Sequence, residues 1–195
     1  MFPVRLLVGL SNLLTRIERP ALMLLVAGIA GFVLLNVVFR YFGVTLAWAD
    51  ELAIMCMTLA GFVGAALMLR ARTDPAVLIL HEMGRPGLVR VLRILVSALA
   101  AGFGAALAWM CWRWFNLPGL IAAGFDVGAF EMASFNFIYT ERTPVMGLPS
   151  WRFFLIMPWF AVSITIHALA NLAEDLGLAR RDPGRDGAAA GGGQA

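Results

Sequence analysis

The chain has 195 residues, of which 61% are hydrophobic and 14% are charged, and it contains 2 cysteines. A soluble domain carries about a quarter of charged residues, so this composition indicates a membrane protein. The net charge is +3, and every basic side chain other than histidine is an arginine. The chain lacks the basic patch with interleaved aromatic residues that is typical of nucleic-acid-binding proteins. We therefore interpret the arginines as indicators of membrane topology. Cys56 and Cys111 lie in separate apolar stretches, which argues against a disulfide framework or a zinc site.

Residues 1–19 predict an amphipathic helix that lies on the cytoplasmic surface of the membrane. One face carries the apolar residues Leu6, Leu10, Leu13 and Ile17. Another face carries Arg5, Asn12, Arg16 and Arg19. Arginine on such a helix favours contact with anionic lipid, and Pro20 is expected to turn the chain into the first span.

Four apolar stretches follow, and none of them contains Asp, Glu, Lys or Arg. They are residues 21–39, 52–69, 94–112 and 153–170. Each is about 27–29 Å long as a helix, close to the ~30 Å hydrocarbon core of a bilayer. We therefore predict an all-α integral membrane protein whose four-helix membrane domain covers residues 20–173. Residues 174–195, which end in a Gly/Ala run, are expected to form a largely disordered cytoplasmic tail.

The arginines predict the orientation. Eleven lie before the first stretch, between the second and third, or after the fourth, and four lie in the other two connections. The positive-inside rule then places both termini in the cytoplasm. Four tryptophans fall at the predicted outer interface, where their rings are favoured: Trp48, Trp112, Trp114 and Trp151.

The spans offer little chemistry of their own. His167 is their one ionisable side chain apart from the cysteines, and we interpret it as a hydrogen-bonded packing residue. We find no catalytic constellation, no metal site and no cofactor site, and a haem anchor would need a second histidine within the spans. Three pairs or triplets of small residues suit close helix packing: Ala27 with Gly31, Ala60 with Gly64, and Ala98 with Gly102 and Ala106.

The first outer connection carries a run of polar and aromatic residues. Arg40 and Tyr41 end the first span, and Trp48 stands before the second. Asp50 and Glu51 lie at a helix N-terminus, where negative charge is favoured by about 0.3–1 kcal/mol. Arg40 is also placed to pair with one of these carboxylates across the turn.

The second outer connection, residues 115–150, is long and apolar. Its last part contains two prolines and a glycine before an interfacial tryptophan, which predicts a stiff turn. These residues are Thr143, Pro144, Gly147, Pro149 and Trp151. A loop of this length usually has a function, so we expect it to fold onto the bilayer surface or onto a partner.

Together these motifs resemble the small membrane subunit, of the DctQ type, of tripartite ATP-independent periplasmic (TRAP) transporters. The resemblance covers about residues 19–173 and rests on Arg-Tyr, on Trp-x-Asp-Glu, on Gly-Ala-Ala-x-x-x-Arg (Gly64 to Arg70) and on Thr-Pro-x-x-Gly-x-Pro-x-Trp. The chain departs from the family in the stretch 73–78 and in the length of the outer loop.

The resemblance implies a non-enzymatic subunit of the bacterial inner membrane. Its partners would be a large membrane subunit that moves the solute with sodium, and a periplasmic binding protein that delivers it, with an organic acid as the expected solute. The motif residues become candidates for partner contact. Two other functions stay open: an autonomous four-helix transporter, which would need a membrane-embedded acid, and a membrane anchor of a respiratory complex, which would need haem-ligating histidines.

Overall fold

The computed structural model describes residues 2–72 and 86–179. Within them lie seven helices: α1 (Phe2–Tyr41), α2 (Ala47–Ala71), α3 (Pro86–Phe115), α4 (Leu117–Ala122), α5 (Val127–Ser134), α6 (Trp151–Phe154) and α7 (Ile156–Asp175). Four helical stretches are long and apolar enough to cross a membrane: Pro3–Tyr41, Ala47–Ala71, Val89–Ala122 and Trp151–Asp175. The prediction of an all-α protein with four spans is confirmed. The predicted features of residues 73–85 and of the tail from residue 180 lie outside the described residues.

Helix α7 is the centre of the bundle. It packs against α1, α2 and α3, while α1 packs along α2. Ala161, Ala168 and Ala170 are fully buried on α7, and such small side chains let neighbouring helices approach closely. The interior therefore consists of the surfaces that three helices present to α7.

Helix α1 continues through Pro20 without the predicted turn. Its 40 residues correspond to about 60 Å, twice the thickness of the hydrocarbon core. Proline removes one helical hydrogen bond, yet helical backbone is present on both of its sides. The face formed by Leu6, Leu10, Leu13 and Ile17 is exposed; that it rests on lipid stays a prediction.

Contacts with α2 show which part of α1 lies at the height of the bundle. Asn36 of α1 meets Asp50 at one end of α2, and Asn12 lies within 3.4 Å of Arg70 at the other end. The 20-residue rise from Asp50 to Arg70 on α2 corresponds to about 30 Å. Residues 12–36 of α1 therefore run alongside α2, and Glu18 lies within the bundle although the predicted span begins at residue 21.

A proline also explains the break between α6 and α7. Pro158 has no amide hydrogen to donate to the carbonyl of Phe154, four residues earlier. The helix is interrupted at Leu155, and α7 begins at Ile156. The distortion that Pro158 imposes therefore appears about one turn before the proline itself.

The small-residue contacts lie in a different register from the predicted one. Ala60 and Gly64 are half-buried, and a β-carbon on Gly64 would lie 3.9 Å from Leu22 of α1. Gly31 and Gly102, in contrast, face open space. Helix α3 approaches α7 closely at Gly104, where a β-carbon would collide with Thr165 Oγ1.

We therefore expect Gly104→Ala to destabilise the protein and Gly102→Ala to leave it unchanged or slightly more stable. Both changes add the same methyl group to the same helix, but only the first forces it against the backbone and side chain of Thr165. Overpacking of this kind lowers the free energy of unfolding by about 1–3 kcal/mol. Thermal unfolding in detergent compares the two variants, and equal melting temperatures would contradict this packing.

Candidate functional site

Helix α7 carries a line of polar side chains along one face. Ser163, His167, Asn171 and Glu174 follow one another at intervals of four, four and three residues, which places them on the same side of the helix. Ser163, His167 and Asn171 are buried. This polar line contacts α1 and α2, whereas Thr165 faces α3.

Glu18 of α1 meets the middle of this polar line. One carboxylate oxygen lies 3.1 Å from His167 Nε2, and the other accepts a hydrogen bond from the Ser163 hydroxyl. The second ring nitrogen of His167, Nδ1, lies 2.7 Å from Ser11 Oγ. All four side chains are buried. Each therefore has a partner in a place where an unpaired polar group is strongly disfavoured.

The ends of α2 and α7 are joined by a second cluster. Arg70 donates to Asn171 Oδ1 at 2.6 Å and to Glu174 Oε1 at 2.8 Å. Asn171 in turn donates to the carbonyl of Leu69 at 2.7 Å, which also accepts the amide of Arg72 at 3.4 Å at the end of α2. Charge-assisted bonds of this kind are among the stronger ones in proteins.

Arg72 and Asp175 extend this cluster to α3. Arg72 donates to Asp175 Oδ1 at 2.7 Å and to the carbonyl of Asn171 at 2.8 Å. Ser97 of α3 lies 3.5 Å from the other oxygen of Asp175. Three helices are thus held together at the end of the bundle that the arginines predict to be cytoplasmic.

At the opposite end, Glu51 fastens the second outer connection to α2. Its two carboxylate oxygens accept the backbone amides of Val145 at 3.1 Å and of Met146 at 2.7 Å. Glu51 is 7% exposed. A carboxylate that is nearly out of water and accepts two amides fixes the position of this loop.

The loop that Glu51 holds is itself stiff. Thr143 exchanges backbone bonds with Leu148 and Gly147, and its hydroxyl accepts the amide of Leu148 at 3.1 Å. Gly147 has φ +65°, a conformation that glycine adopts without a steric penalty. An isolated β-bridge between Arg142 and Pro149 closes the turn. The stiff turn predicted between Thr143 and Trp151 is present.

Asn36 fixes the first outer connection. It donates to Asp50 Oδ1 at 2.5 Å and accepts the amide of Leu46 at 3.1 Å. The expected pairing of Arg40 with a carboxylate across the turn is wrong, because Asp50 bonds Asn36 and Glu51 bonds the loop. Within the described residues the Arg40 side chain is exposed and makes no ion pair.

The rest of the long outer connection folds around Tyr139. Its hydroxyl donates to the carbonyl of Phe115 at 2.7 Å, and its ring lies 5.5 Å from the buried Phe130 and 6.3 Å from Trp151. Burial raises the pKa of the Tyr139 phenol, so the hydroxyl stays a donor. The loop therefore has a small aromatic core of its own.

Apolar side chains also cover the outside of this loop. We call five of them, each more than half exposed, the outer apolar set: Ile121, Phe125, Met132, Phe135 and Phe137. Phe125 and Phe135 adopt φ values of +63° and +52°, which are uncommon for a residue with a side chain. Exposed apolar surface on an ordered loop marks contact with lipid or with another protein.

The predicted motif residues divide into two groups. The structure brings Glu51 together with the turn that contains Thr143, Pro144, Gly147 and Pro149. Gly64 and Arg70 lie against α1 and α7, and Trp48 and Trp151 contact Phe32 and Tyr139 edge to face. Arg40 and Tyr41 are exposed, so these two are available to lipid or a partner.

Sequence reasoning missed most of the buried polar residues: Ser11, Glu18, Ser163, Asn171 and Glu174. The spacing of the polar residues on α7 was the available signal, because a polar line in an apolar helix predicts a polar partner. Nothing comparable marked Glu18, which stands between Arg16 and Arg19 in a stretch with the character of a surface helix.

Four apolar helices joined by buried polar clusters define a multi-pass membrane protein. Residues 29–178 match the family model described as "Tripartite ATP-independent periplasmic transporters, DctQ component". The match spans most of the chain, so the protein belongs to this family and is a small membrane subunit of a TRAP transporter. Comparison with curated proteins and with solved structures gives no match.

We expect Glu51→Gln to loosen the outer turn while the helices remain folded. A glutamine side chain offers one accepting oxygen, so one of the two amide bonds and the charge are lost, which destabilises the turn by about 1.5–3 kcal/mol. Hydrogen exchange at Val145 and Met146 should accelerate about 10- to 100-fold. Glu141→Gln, at an exposed acid of the same loop, is the matched control; equal exchange rates in both variants would contradict this role of Glu51.

Proposed function

We propose that this chain braces the large membrane subunit of a TRAP transporter in the bacterial inner membrane. In this proposal a periplasmic binding protein delivers the solute, an organic acid, and the large subunit carries it inward with sodium. The small subunit performs no catalysis and binds neither the solute nor the sodium that moves with it. Membership of the DctQ family supports this proposal, since the family is one component of a three-part transporter.

The observation that carries the proposal is how the buried polar groups are used. Glu18, Glu51 and Arg70 each bond a neighbouring helix or loop within the chain. A transport pathway needs polar groups that exchange their partners for a solute or an ion. Groups that join one helix to the next instead suit a part that stays rigid while its companion moves.

The uncovered apolar surface of the helices is further evidence for a partner subunit in the membrane. In the most apolar 18-residue window of α1 only 6% of the residues are buried, against 33% in the fourth span. Helix α3 packs mainly on α7, which leaves the rest of its surface uncovered. Such apolar helix faces serve either lipid or another membrane helix, so α1 and α3 are the helices we assign to the large subunit.

The arginines at one end of the bundle and the tryptophans at the other end support the predicted orientation. The arginines Arg70, Arg72 and Arg90 gather around the end of α7 near Asp175, and positive charge favours the cytoplasmic side. Trp48, Trp112 and Trp151 belong to the opposite end of the bundle, where Glu51 holds the outer turn. We therefore place the outer turn in the periplasm, on the side from which the binding protein delivers solute.

Glu18 changes the argument against an autonomous transporter. The lack of an acid in the predicted spans was the argument against that alternative, but the structure buries Glu18 of α1 against α7. The match to the DctQ family is now the observation that favours a TRAP transporter subunit over an autonomous transporter. For a haem-bearing anchor, the geometry of His167 is unfavourable, since both of its ring nitrogens already face Ser11 and Glu18.

Reconstitution tests the proposal directly. The chain alone, placed in sealed vesicles with a sodium gradient, should transport none of a panel of organic acids. Vesicles that contain this chain with the large subunit should take up one of those acids when the binding protein is added. Transport by the chain alone would overturn the proposal, and so would full uptake by the large subunit without it.

We further expect Arg40→Ala, and Asp50→Asn combined with Glu51→Gln, to weaken assembly with the large subunit without changing which solute is preferred. The first change removes an exposed charge beside the outer turn, and the second releases the bonds to Asn36 and to Val145 and Met146. Co-purification reports assembly and competition uptake reports preference. Arg152→Ala, on an exposed arginine of α6, is the control. Normal co-purification together with an altered order of solutes would contradict the bracing role.

The outer apolar set gives a separate test of the long loop. Changing Phe125, Met132 and Phe135 to Ser should preserve the fold, because these side chains are 66%, 77% and 82% exposed, and should reduce co-purification with the large subunit or binding of the binding protein. Phe130→Ser, which empties the core of the loop, is expected to unfold it and serves as the opposite control. If the triple variant assembles and supports uptake normally, the loop contacts neither partner.

A further inference from the structure

Glu18 and His167 form a buried ionisable pair inside the bundle. Their side chains are 2% and 0% exposed, and His167 Nε2 lies 3.1 Å from Glu18 Oε2. The pair lies within the height defined by Asn12 and Asn36 on α1, about 9 Å along the helix from the level of Arg70. Glu18 also lies before the region that matches the family, residues 29–178.

The charge of this pair depends on how many protons it holds. With one proton the two side chains are neutral in sum, either as carboxylate with imidazolium or as carboxylic acid with imidazole. With two protons the pair is positive, and with none it is negative. A net charge in a medium of low dielectric constant is strongly disfavoured, so the state with one proton is the stable one.

The surrounding groups do not offset a net charge by exchanging protons. The charged groups that flank Glu18 on α1 are Arg16 and Arg19, and the charged groups of α3 are also all arginines, Arg90, Arg93 and Arg113; arginine stays protonated. On α2, Arg70 bonds Glu174 of α7 at 2.8 Å, which engages both charges with each other. Ser11 and Ser163, which complete the cluster, are neutral. The proton count of the cluster is therefore set by Glu18 and His167.

We propose that Glu18 and His167 together form a proton-binding site that holds one proton and fixes the first half of α1 to α7. The ligand is a single proton, shared across the contact between Nε2 and Oε2. Ser11 and Ser163 hold the two side chains in place from either side. The site is a property of this chain itself and does not depend on its bracing a large subunit.

Spectroscopy on the full chain in lipid nanodiscs at pH 7 can count the proton. The chain has 2 histidines, so His81→Gln leaves His167 as the single ¹⁵N-histidine signal, which reports whether the imidazole is charged. The infrared carbonyl band of a protonated carboxyl, assigned by its loss in Glu18→Gln or its shift in Glu18→Asp, reports the state of Glu18. Glu141→Gln, at an exposed acid, should change neither signal.

The expected result is one proton on the pair. Either the imidazole is charged and the carboxyl band is absent, or the imidazole is neutral and the band is present; in Glu18→Gln the imidazole should be neutral. A neutral imidazole without the band, or a charged imidazole with it, would overturn the proposal. The test does not depend on the folding of Glu18→Gln. If that variant does not fold, the histidine signal is still measured with native Glu18, and the carboxyl band is assigned by its shift in Glu18→Asp.

Discussion

The bundle depends on polar side chains of α7 that are buried against its neighbours. Apolar helices in lipid have no hydrophobic reason to choose one face over another, because lipid and leucine are equally apolar. A buried carboxylate such as Glu18 changes this, since it must find His167 and Ser163 or remain unpaired. One rotation and one height of α1 on α7 satisfy it, so the polar contact specifies a packing that the apolar surface alone leaves open.

The three neighbours of α7 are held by three different kinds of contact. Helix α1 is held by the buried pair, α2 by the ion pair and amide at Arg70 and Asn171, and α3 by the close approach at Gly104. Polar contacts determine where helices meet along their length, whereas close packing of small residues adds dispersion energy over a longer stretch. Helix α7 has these different partners on different faces, and this explains why it is the most buried of the four spans.

The sequence was sufficient where the signal was local. Span lengths follow from runs of apolar residues, and the turn between Thr143 and Trp151 follows from its prolines and glycine. The partnership of Glu51 with that turn was not predicted, because the two segments are more than 90 residues apart along the chain. The register of small residues was not predictable, because α3 offers both Gly102 and Gly104 in a helix that is apolar on every side. Glu18 was not predictable either, since its neighbours Arg16 and Arg19 give that stretch the pattern of a surface helix, and its partner is 149 residues away along the chain.

The same contacts explain why this subunit suits a static role. An element that moves during transport must exchange its polar contacts between states, and each buried group here would then pass through an unpaired condition. Glu51 and Arg70 fasten opposite ends of α2, one to the outer turn and one to α7. Sliding α2 by a single turn would break both clusters at once. Under the proposed function, the helices would present their apolar outer faces to a moving large subunit while they keep their own arrangement.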